Sequence, residues 1–151
     1  MNNIGINGFG RIGRSILRII VESNSDLNVI AINDLGDKET LSYLFKHDSI
    51  MGILNMNVEL EDDYLIVGDR KIKLISHSDP GEIPWSDLGV DFVVESTGFF
   101  RDKDSLDKHI SSGAKKVVLT VPPKDDIDAT VVLGVNDNSL NPDDKLISNA
   151  S

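Results

Sequence analysis

Short apolar runs alternate with amphipathic stretches along most of the chain. Ile4-Gly5-Ile6 predicts a strand, and five apolar side chains between residues 12 and 20 fall on one broad helical stripe. The β-branched run "NVIAIN", residues 28–33, predicts a second strand. A second helix is expected after it, with Asp37 as its N-cap and apolar residues spaced three and four apart. The chain therefore begins with a β-α-β-α rhythm.

The hydrophobic period changes between residues 57 and 76, where alternating apolar residues and turn-forming pairs predict a small antiparallel insertion. The helix–strand alternation then resumes. The further predicted elements are a strand in "DFVVES" (91–96), a helix over 102–113 closed by Gly113, a strand in "KKVVLTV" (115–121), and two short strands in "TVVLGVN" (130–136) and "KLISN" (145–149).

Strands that are apolar on both faces indicate a mainly parallel sheet with helices on each side. Right-handed crossovers leave a doubly wound α/β arrangement of the Rossmann type as the economical topology, with the antiparallel insertion added to it. The chain has 151 residues, 40% of them hydrophobic, which is enough for one cooperative domain. We therefore expect residues 1–151 to form a single domain.

Three glycines lie between the first predicted strand and the first predicted helix, in the spacing Gly8-x-Gly10-x-x-Gly13. Gly8 permits a tight turn, Gly10 lets a pyrophosphate approach the backbone, and Gly13 lets the helix pack close to the sheet. Free N–H groups and the positive end of the helix dipole then face the phosphates. Taken alone, the three glycines are equally typical of an ordinary turn.

Asp34 ends the second predicted strand. It follows Gly13 at about the 20-residue spacing typical of the acid that binds the adenosine ribose of a dinucleotide. A carboxylate there accepts hydrogen bonds from the ribose hydroxyls and repels a 2′-phosphate, so NAD is favoured over NADP. The alternative is that Asp34 is a turn or cap residue, which leaves the spacing unexplained.

Composition excludes several classes of function. With 15 basic and 25 acidic side chains the formal net charge is −10, which disfavours nucleic acids and anionic membranes as partners. The absence of cysteine rules out a disulfide scaffold and a thiolate nucleophile within these residues. No apolar run reaches the length of a membrane span, and no basic leader precedes the first strand. We expect a cytoplasmic protein.

The remaining polar residues give weaker predictions. His47, His77 and His109 lack a partner at metal-ligand spacing, so each is interpreted as a solvated or satisfied surface histidine and no metal site is predicted. No serine lies in a G-x-S-x-G elbow. Thr97 and Thr120 follow predicted strands and are candidates to hydrogen-bond a cofactor, although each alone is typical of a turn.

Seven segments resemble the N-terminal part of the phosphorylating glyceraldehyde-3-phosphate dehydrogenases, in order and spacing. They are "INGFGRIGR", "INDL", "HDSIMG", "DPGEIPW", "VVESTGFF", "GAKKVVLTVPPKDDIDATVVLGVN" and "ISNAS". Together they run from the first predicted strand to the last residue, and are far more specific than a lone glycine motif. The resemblance implies an NAD-binding Rossmann domain.

The resemblance also implies a set of cofactor-binding positions. Asp34 corresponds to the residue that holds the adenosine ribose, and Thr120 lies toward the nicotinamide. Two departures are visible: the family usually has Arg or Gln at Ser78, and Ser-Ala at Thr120-Val121. The other implied positions are Gly8, Phe9, Gly10, Arg11, Ile12 and Gly13 around the pyrophosphate, and Ser78, Ser96, Thr97, Gly98 and Phe100 on the adenine side.

In similar enzymes the sequence "SNAS" is followed by the catalytic cysteine, so the resemblance implies that residues 1–151 are a catalytically inactive fragment without the catalytic domain. The implied parent is a homotetramer that converts glyceraldehyde 3-phosphate, NAD and inorganic phosphate into 1,3-bisphosphoglycerate in glycolysis. Two alternatives stay open. One is the NAD domain of an erythrose-4-phosphate dehydrogenase, and the other is a non-catalytic nucleotide-sensing Rossmann module.

Overall fold

The computed structural model describes residues 2–150. Its helices are α1 (Arg11–Glu22), α2 (Lys38–Lys46), α3 (Trp85–Leu88) and α4 (Lys103–Ser111). Its strands are β1 (Asn3–Asn7), β2 (Asn28–Asn33), β3 (His47–Asp48), β4 (Gly52–Ile53), β5 (Val58–Glu61), β6 (Tyr64–Val67), β7 (Arg70–Ile75), β8 (Phe92–Glu95), β9 (Lys116–Leu119), β10 (Ala129–Thr130) and β11 (Leu146–Ser148).

Within residues 2–150, nine of these strands form one sheet in the order β10-β11-β9-β8-β1-β2-β7-β6-β5. All pairs from β10 to β7 are parallel. The chain builds outward from β1 through β2 to β7, then returns to place β8 on the other side of β1. This reversal is the switch point of a doubly wound sheet, as predicted, and ligands bind there outside the carboxyl ends of the strands.

Two apolar clusters cover the two faces of the sheet. The first packs α1 and α2 against one face, with Leu17 and Phe45 among its buried members. The second packs α3 and α4 against the other, with Trp85 and Leu106 fully buried. Gly5 faces this second layer, and a Cβ there would collide with the Trp85 ring. The central strand therefore contains a glycine because an indole fills the space above it.

The predicted antiparallel insertion is confirmed over β5, β6 and β7, which pair in antiparallel fashion. Because β7 also pairs in parallel with β2, the insertion extends the main sheet. A separate hairpin of β3 and β4 was not predicted. It is fixed by the buried Arg18, whose guanidinium donates to the carbonyls of Phe45 (3.0 Å), Met51 (3.2 Å) and Gly52 (3.0 Å).

The predicted strand over 130–136 is wrong beyond Thr130. The backbone turns there because side chains take the place of strand partners: the Val132 amide donates to Asn136 Oδ1 (2.7 Å), and Asn136 Nδ2 donates to the Thr130 carbonyl (3.1 Å). Apolar residues alone do not show whether this segment is a buried strand, since Leu133 is 82% exposed. The strand predicted over 145–149 is confirmed as Leu146–Ser148.

No helix in the described residues combines the length and apolar character that crossing a bilayer requires.

Candidate functional site

A cleft of about 450 Å³ opens at the carboxyl ends of β1, β2 and β8, where the strand order reverses. The loops after β7 and β8 form its sides. Its lining consists of Asn7, Gly8, Gly10, Asn33, Asp34, Leu35, His77, Ser78, Ser96, Thr97, Phe99 and Phe100. Seven of these were predicted as cofactor-binding positions: Gly8, Gly10, Asp34, Ser78, Ser96, Thr97 and Phe100.

Two of the motif glycines serve packing within the protein. Gly8 has φ +91°, and a Cβ there would lie 2.7 Å from the Thr97 nitrogen. A Cβ on Gly13 would collide with the Gly8 carbonyl oxygen. The turn and the first turn of α1 thus pack backbone to backbone, as the spacing predicts.

Gly10 differs from both, because no atom lies within 4 Å of the position that its Cβ would occupy. Its φ of −77° is open to any residue, and Gly10 is exposed. Neither the fold nor the backbone conformation therefore requires glycine at this position. A ligand that approaches the backbone from the cleft explains why a side chain is absent there.

The N-terminus of α1 is electrostatically open. Gly10 is its N-cap and supplies no side-chain hydrogen bond, and its first turn contains no acidic residue. In contrast, α4 is capped by Asp102, and the Ser105 amide that donates to this carboxylate lowers the Asp102 pKa. The same type of helix end in α1 has N–H groups and a positive dipole free to bind an anion.

Asp34 joins the glycine turn to the end of β2. Its Oδ2 accepts from the Phe9 amide at 2.7 Å, and its Oδ1 accepts from the Gly36 amide at 2.7 Å. Each carboxylate oxygen has two lone-pair directions, so each keeps one for a further donor. Asp34 therefore both anchors the turn and presents acceptors to the cleft.

The residues after β8 form the opposite side of the cleft. Ser96 Oγ donates to the Gly8 carbonyl at 2.6 Å, so its hydroxyl proton holds the glycine turn. Thr97 Oγ1 accepts from the amides of Phe99 (3.1 Å) and Phe100 (3.4 Å). Both phenylalanines line the cleft, with their rings in an edge-to-face arrangement.

Six predicted cofactor positions lie outside this lining. The Phe9 side chain is buried against Phe45, with the ring centroids 5.6 Å apart. Thr120 follows β9, where its amide and hydroxyl both bond to the Glu95 carbonyl at 3.2 Å. The other four are Arg11 and Ile12 in the first turn of α1, the packed Gly13, and Gly98 in the turn after β8.

Residues 2–103 match the family model for "Glyceraldehyde 3-phosphate dehydrogenase, NAD binding domain". This match covers more than half of the chain and includes every cleft-lining residue. The chain belongs to this family. NAD is therefore the cofactor of the domain, and the fold is the Rossmann type that the sequence predicts.

Relatives of the same family extend the likeness beyond residue 103. The chain is 49% identical to the glyceraldehyde-3-phosphate dehydrogenase of Thermotoga maritima, with 100% of this chain and 45% of that protein covered. It is 47% identical to the enzyme of Streptomyces coelicolor (98% and 44% covered) and 50% identical to that of Borreliella burgdorferi (98% and 45%). The chain thus spans about 45% of the length of these relatives.

The cleft has five lining residues that sequence reasoning missed: Asn7, Asn33, Leu35, His77 and Phe99. A signal for two of them is present, because Asn7 and Asn33 are polar residues that end apolar strands at the ligand-binding edge. His77 has no comparable signal, since the loop that places it is fixed by tertiary contacts.

The interpretation of the histidines as surface residues is wrong for His109, which is fully buried. It lies on the inner side of α4, between Trp85 and Glu95. The pattern of α4 does not separate a buried polar histidine from a solvated one. In residues 2–150, no group of three or more carboxylate or imidazole side chains has the arrangement of a metal site.

Proposed function

We propose that this cleft holds NAD with its diphosphate against Gly10 and the first turn of α1. The observation that carries the proposal is the open space at Gly10, where no protein atom lies within 4 Å of a Cβ position, beside a helix end without an acidic cap. The amides of Arg11 and Ile12 are the donors we assign to the phosphate oxygens. Gly8 and Gly13 shape the turn.

Asp34 is the residue that we assign to the adenosine ribose. Its two carboxylate oxygens are fixed by the Phe9 and Gly36 amides at 2.7 Å each, so each oxygen keeps one lone pair that can accept from a ribose hydroxyl. The adjacent Leu35 and Gly36 supply no cation. A 2′-phosphate placed there would meet the negative charge without compensation, which favours NAD over NADP.

The rest of the dinucleotide is assigned from the position of the loops. We assign the cleft-lining Ser78, Ser96, Thr97 and Phe100 to the adenine side, together with Gly98 in the turn after β8. Phe9 stays assigned to the pyrophosphate turn, where its amide donates to Asp34. Thr120 follows the next strand along the same edge of the sheet, and we assign it to the nicotinamide half. Bound NAD supplies the hydride acceptor of an oxidation.

The chain's own share of the reaction is to bind and orient this cofactor. We propose that the longer protein is a phosphorylating aldehyde dehydrogenase that acts on glyceraldehyde 3-phosphate with inorganic phosphate, in the cytoplasm and as a homotetramer. The family membership and the identity of 47–50% to dehydrogenases of that name support this proposal. A thiolate nucleophile is not available here, because residues 1–151 contain no cysteine.

Calorimetric titration of the 151-residue chain tests the proposal. We expect NAD to bind with one site per chain and NADP to bind more weakly by about 10-fold or more, because one repulsive charge faces the 2′-phosphate. With glyceraldehyde 3-phosphate and phosphate added, we expect no NADH absorbance. Equal binding of the two dinucleotides, or NADH production by the purified chain, contradicts this assignment.

A further inference from the structure

Three polar side chains stand side by side under the cleft, at the carboxyl ends of three adjacent strands. Asn7 is in register with Asn33 of β2 on one side and with Glu95 of β8 on the other. Asn33 Nδ2 donates to Asn7 Oδ1 at 2.8 Å, and Asn7 Nδ2 donates to Glu95 Oε2 at 2.6 Å. All three are buried, with exposed fractions of 3% or less. They form one continuous row across the switch point.

Glu95 accepts four hydrogen bonds and is fully buried. Its Oε1 accepts from the Thr97 amide (3.0 Å) and the Thr97 hydroxyl (2.6 Å). Its Oε2 accepts from Asn7 Nδ2 and is 2.8 Å from His109 Nε2. Because an ionised carboxylate only accepts, four surrounding donors match the charged form and leave no acceptor for a carboxyl proton.

Trp85 fixes the role of His109 in this network. The Trp85 indole N–H is a donor only, and it lies 2.9 Å from His109 Nδ1. Nδ1 must therefore accept, which leaves the proton of a neutral imidazole on Nε2. From there it is donated to Glu95, so the contact is a hydrogen bond from a neutral histidine to a carboxylate.

The network reaches both sides of the cleft. On one side, Asn33 makes two reciprocal bonds to the His77 backbone: Nδ2 donates to the carbonyl at 2.9 Å and Oδ1 accepts from the amide at 2.8 Å. On the other side, Thr97 donates to Glu95 and accepts from the amides of Phe99 and Phe100. From the His77 amide through Asn33 and Asn7, one chain of donors is directed toward the Glu95 carboxylate, and the bond from Asn33 Nδ2 to the His77 carbonyl closes the contact with the loop.

We propose that Glu95 is the positioning residue of the dinucleotide cleft. Its buried charge holds the Thr97–Phe100 loop and, through Asn7 and Asn33, the His77 loop at a fixed separation. On the side away from the cleft, Trp85 orients His109, and His109 donates a hydrogen bond to Glu95. Glu95 itself is shielded from the cleft and touches no ligand. This inference rests on the proposed function, because the separation matters only if a dinucleotide occupies the cleft.

Paired substitutions at His109 test the proposal without altering any cleft-lining residue. His109→Gln keeps an acceptor for Trp85 and a donor for Glu95 side by side, whereas His109→Leu removes both. We expect NAD to bind the leucine variant about 10-fold or more weakly than the unmodified chain, and the glutamine variant to recover most of this loss. In Glu95→Gln the side-chain NH₂ group faces the donors that now surround the carboxylate, so we expect this variant to bind NAD at least as weakly as His109→Leu. The matched control is Glu61→Gln, at an exposed position, which is expected to bind NAD normally.

Nuclear magnetic resonance of the ligand-free chain supplies a readout that does not depend on NAD. We expect ¹⁵N shifts of His109 that show an unprotonated Nδ1, which accepts from Trp85, and a protonated Nε2, which donates to Glu95. In His109→Leu we expect the amide signals of His77, Thr97, Phe99 and Phe100 to move together. If a His109 or Glu95 variant fails to fold, the tautomer of His109 in the unmodified chain takes its place as the test.

The outcomes separate the two proposals. If the unmodified chain does not bind NAD, the proposed function fails. If it binds NAD and the folded His109→Leu chain binds equally well, the positioning role of Glu95 is overturned. An imidazole that carries its proton on Nδ1, or shifts in His109→Leu confined to α4, overturns it as well.

Discussion

Gly10→Val is expected to abolish measurable NAD binding while the folded chain keeps most of its stability. The Cβ of residue 10 projects into space that contains no protein atom within 4 Å, and φ of −77° suits a valine. The fold therefore loses only the preference of the α1 N-cap for glycine over valine, about 1 kcal/mol. A side chain there occupies the approach of the diphosphate to the α1 amides, so we expect a loss of affinity of about 100-fold or more. Gly10→Ala is expected to give a smaller loss in the same direction.

Gly13→Ala is the matched comparison, because its Cβ would collide with the Gly8 carbonyl inside the protein. We expect this variant to lower the melting temperature by several degrees, in line with overpacking that costs about 1–3 kcal/mol. Thermal melts and calorimetry on both variants separate a glycine kept for a ligand from one kept for packing. A Gly10→Val chain that melts normally and binds NAD as before would refute the diphosphate site.

Asp34→Ala is expected to reverse or remove the preference for NAD over NADP. The substitution deletes the ribose acceptors and the charge that repels a 2′-phosphate at the same time. A net loss equal to one hydrogen bond to a charged group is about 1.5–3 kcal/mol, so we expect NAD affinity to fall about 10- to 100-fold. NADP affinity is expected to change far less, because the loss of acceptors and the loss of repulsion oppose each other.

The control for this experiment removes a negative charge elsewhere. Asp62 lies in the exposed turn between β5 and β6 with φ of +52°, a conformation that asparagine tolerates. Asp62→Asn is expected to bind both dinucleotides as the unmodified chain does. Asp34 also anchors the Phe9 amide, so melting curves are recorded for each variant. An unchanged ratio of NAD to NADP affinity in a stably folded Asp34→Ala chain means that another residue meets the ribose.

Local sequence rules predicted the parts of the fold that local rules control. The glycine spacing, the position of Asp34 after a strand, and the N-cap Asp37 depend on residues near one another in the chain. The β-α alternation then predicts a doubly wound, mainly parallel sheet, with ligands bound beyond the carboxyl ends of its strands. The family itself is predicted by the seven segments that resemble it, and the match over residues 2–103 confirms that prediction.

Contacts between distant residues account for what the sequence could not predict. The β3–β4 hairpin depends on the buried guanidinium of Arg18, which lies on α1. The segment after Thr130 turns because Asn136 bonds back to it. His109 and Glu95 are brought together from α4 and β8, and neither has a local pattern that marks it as buried. Buried polar residues depend on hydrogen-bond partners from distant parts of the chain, and the hydrophobic period of the sequence does not specify those partners.

A crystal structure of the 151-residue chain with NAD tests the central claim most directly. We predict diphosphate oxygens within hydrogen-bond distance of the amides in the first turn of α1, directly over Gly10, and the ribose hydroxyls of the adenosine half on the carboxylate of Asp34. Density for the diphosphate away from this helix end, or a ribose that contacts neither oxygen of Asp34, would contradict the account.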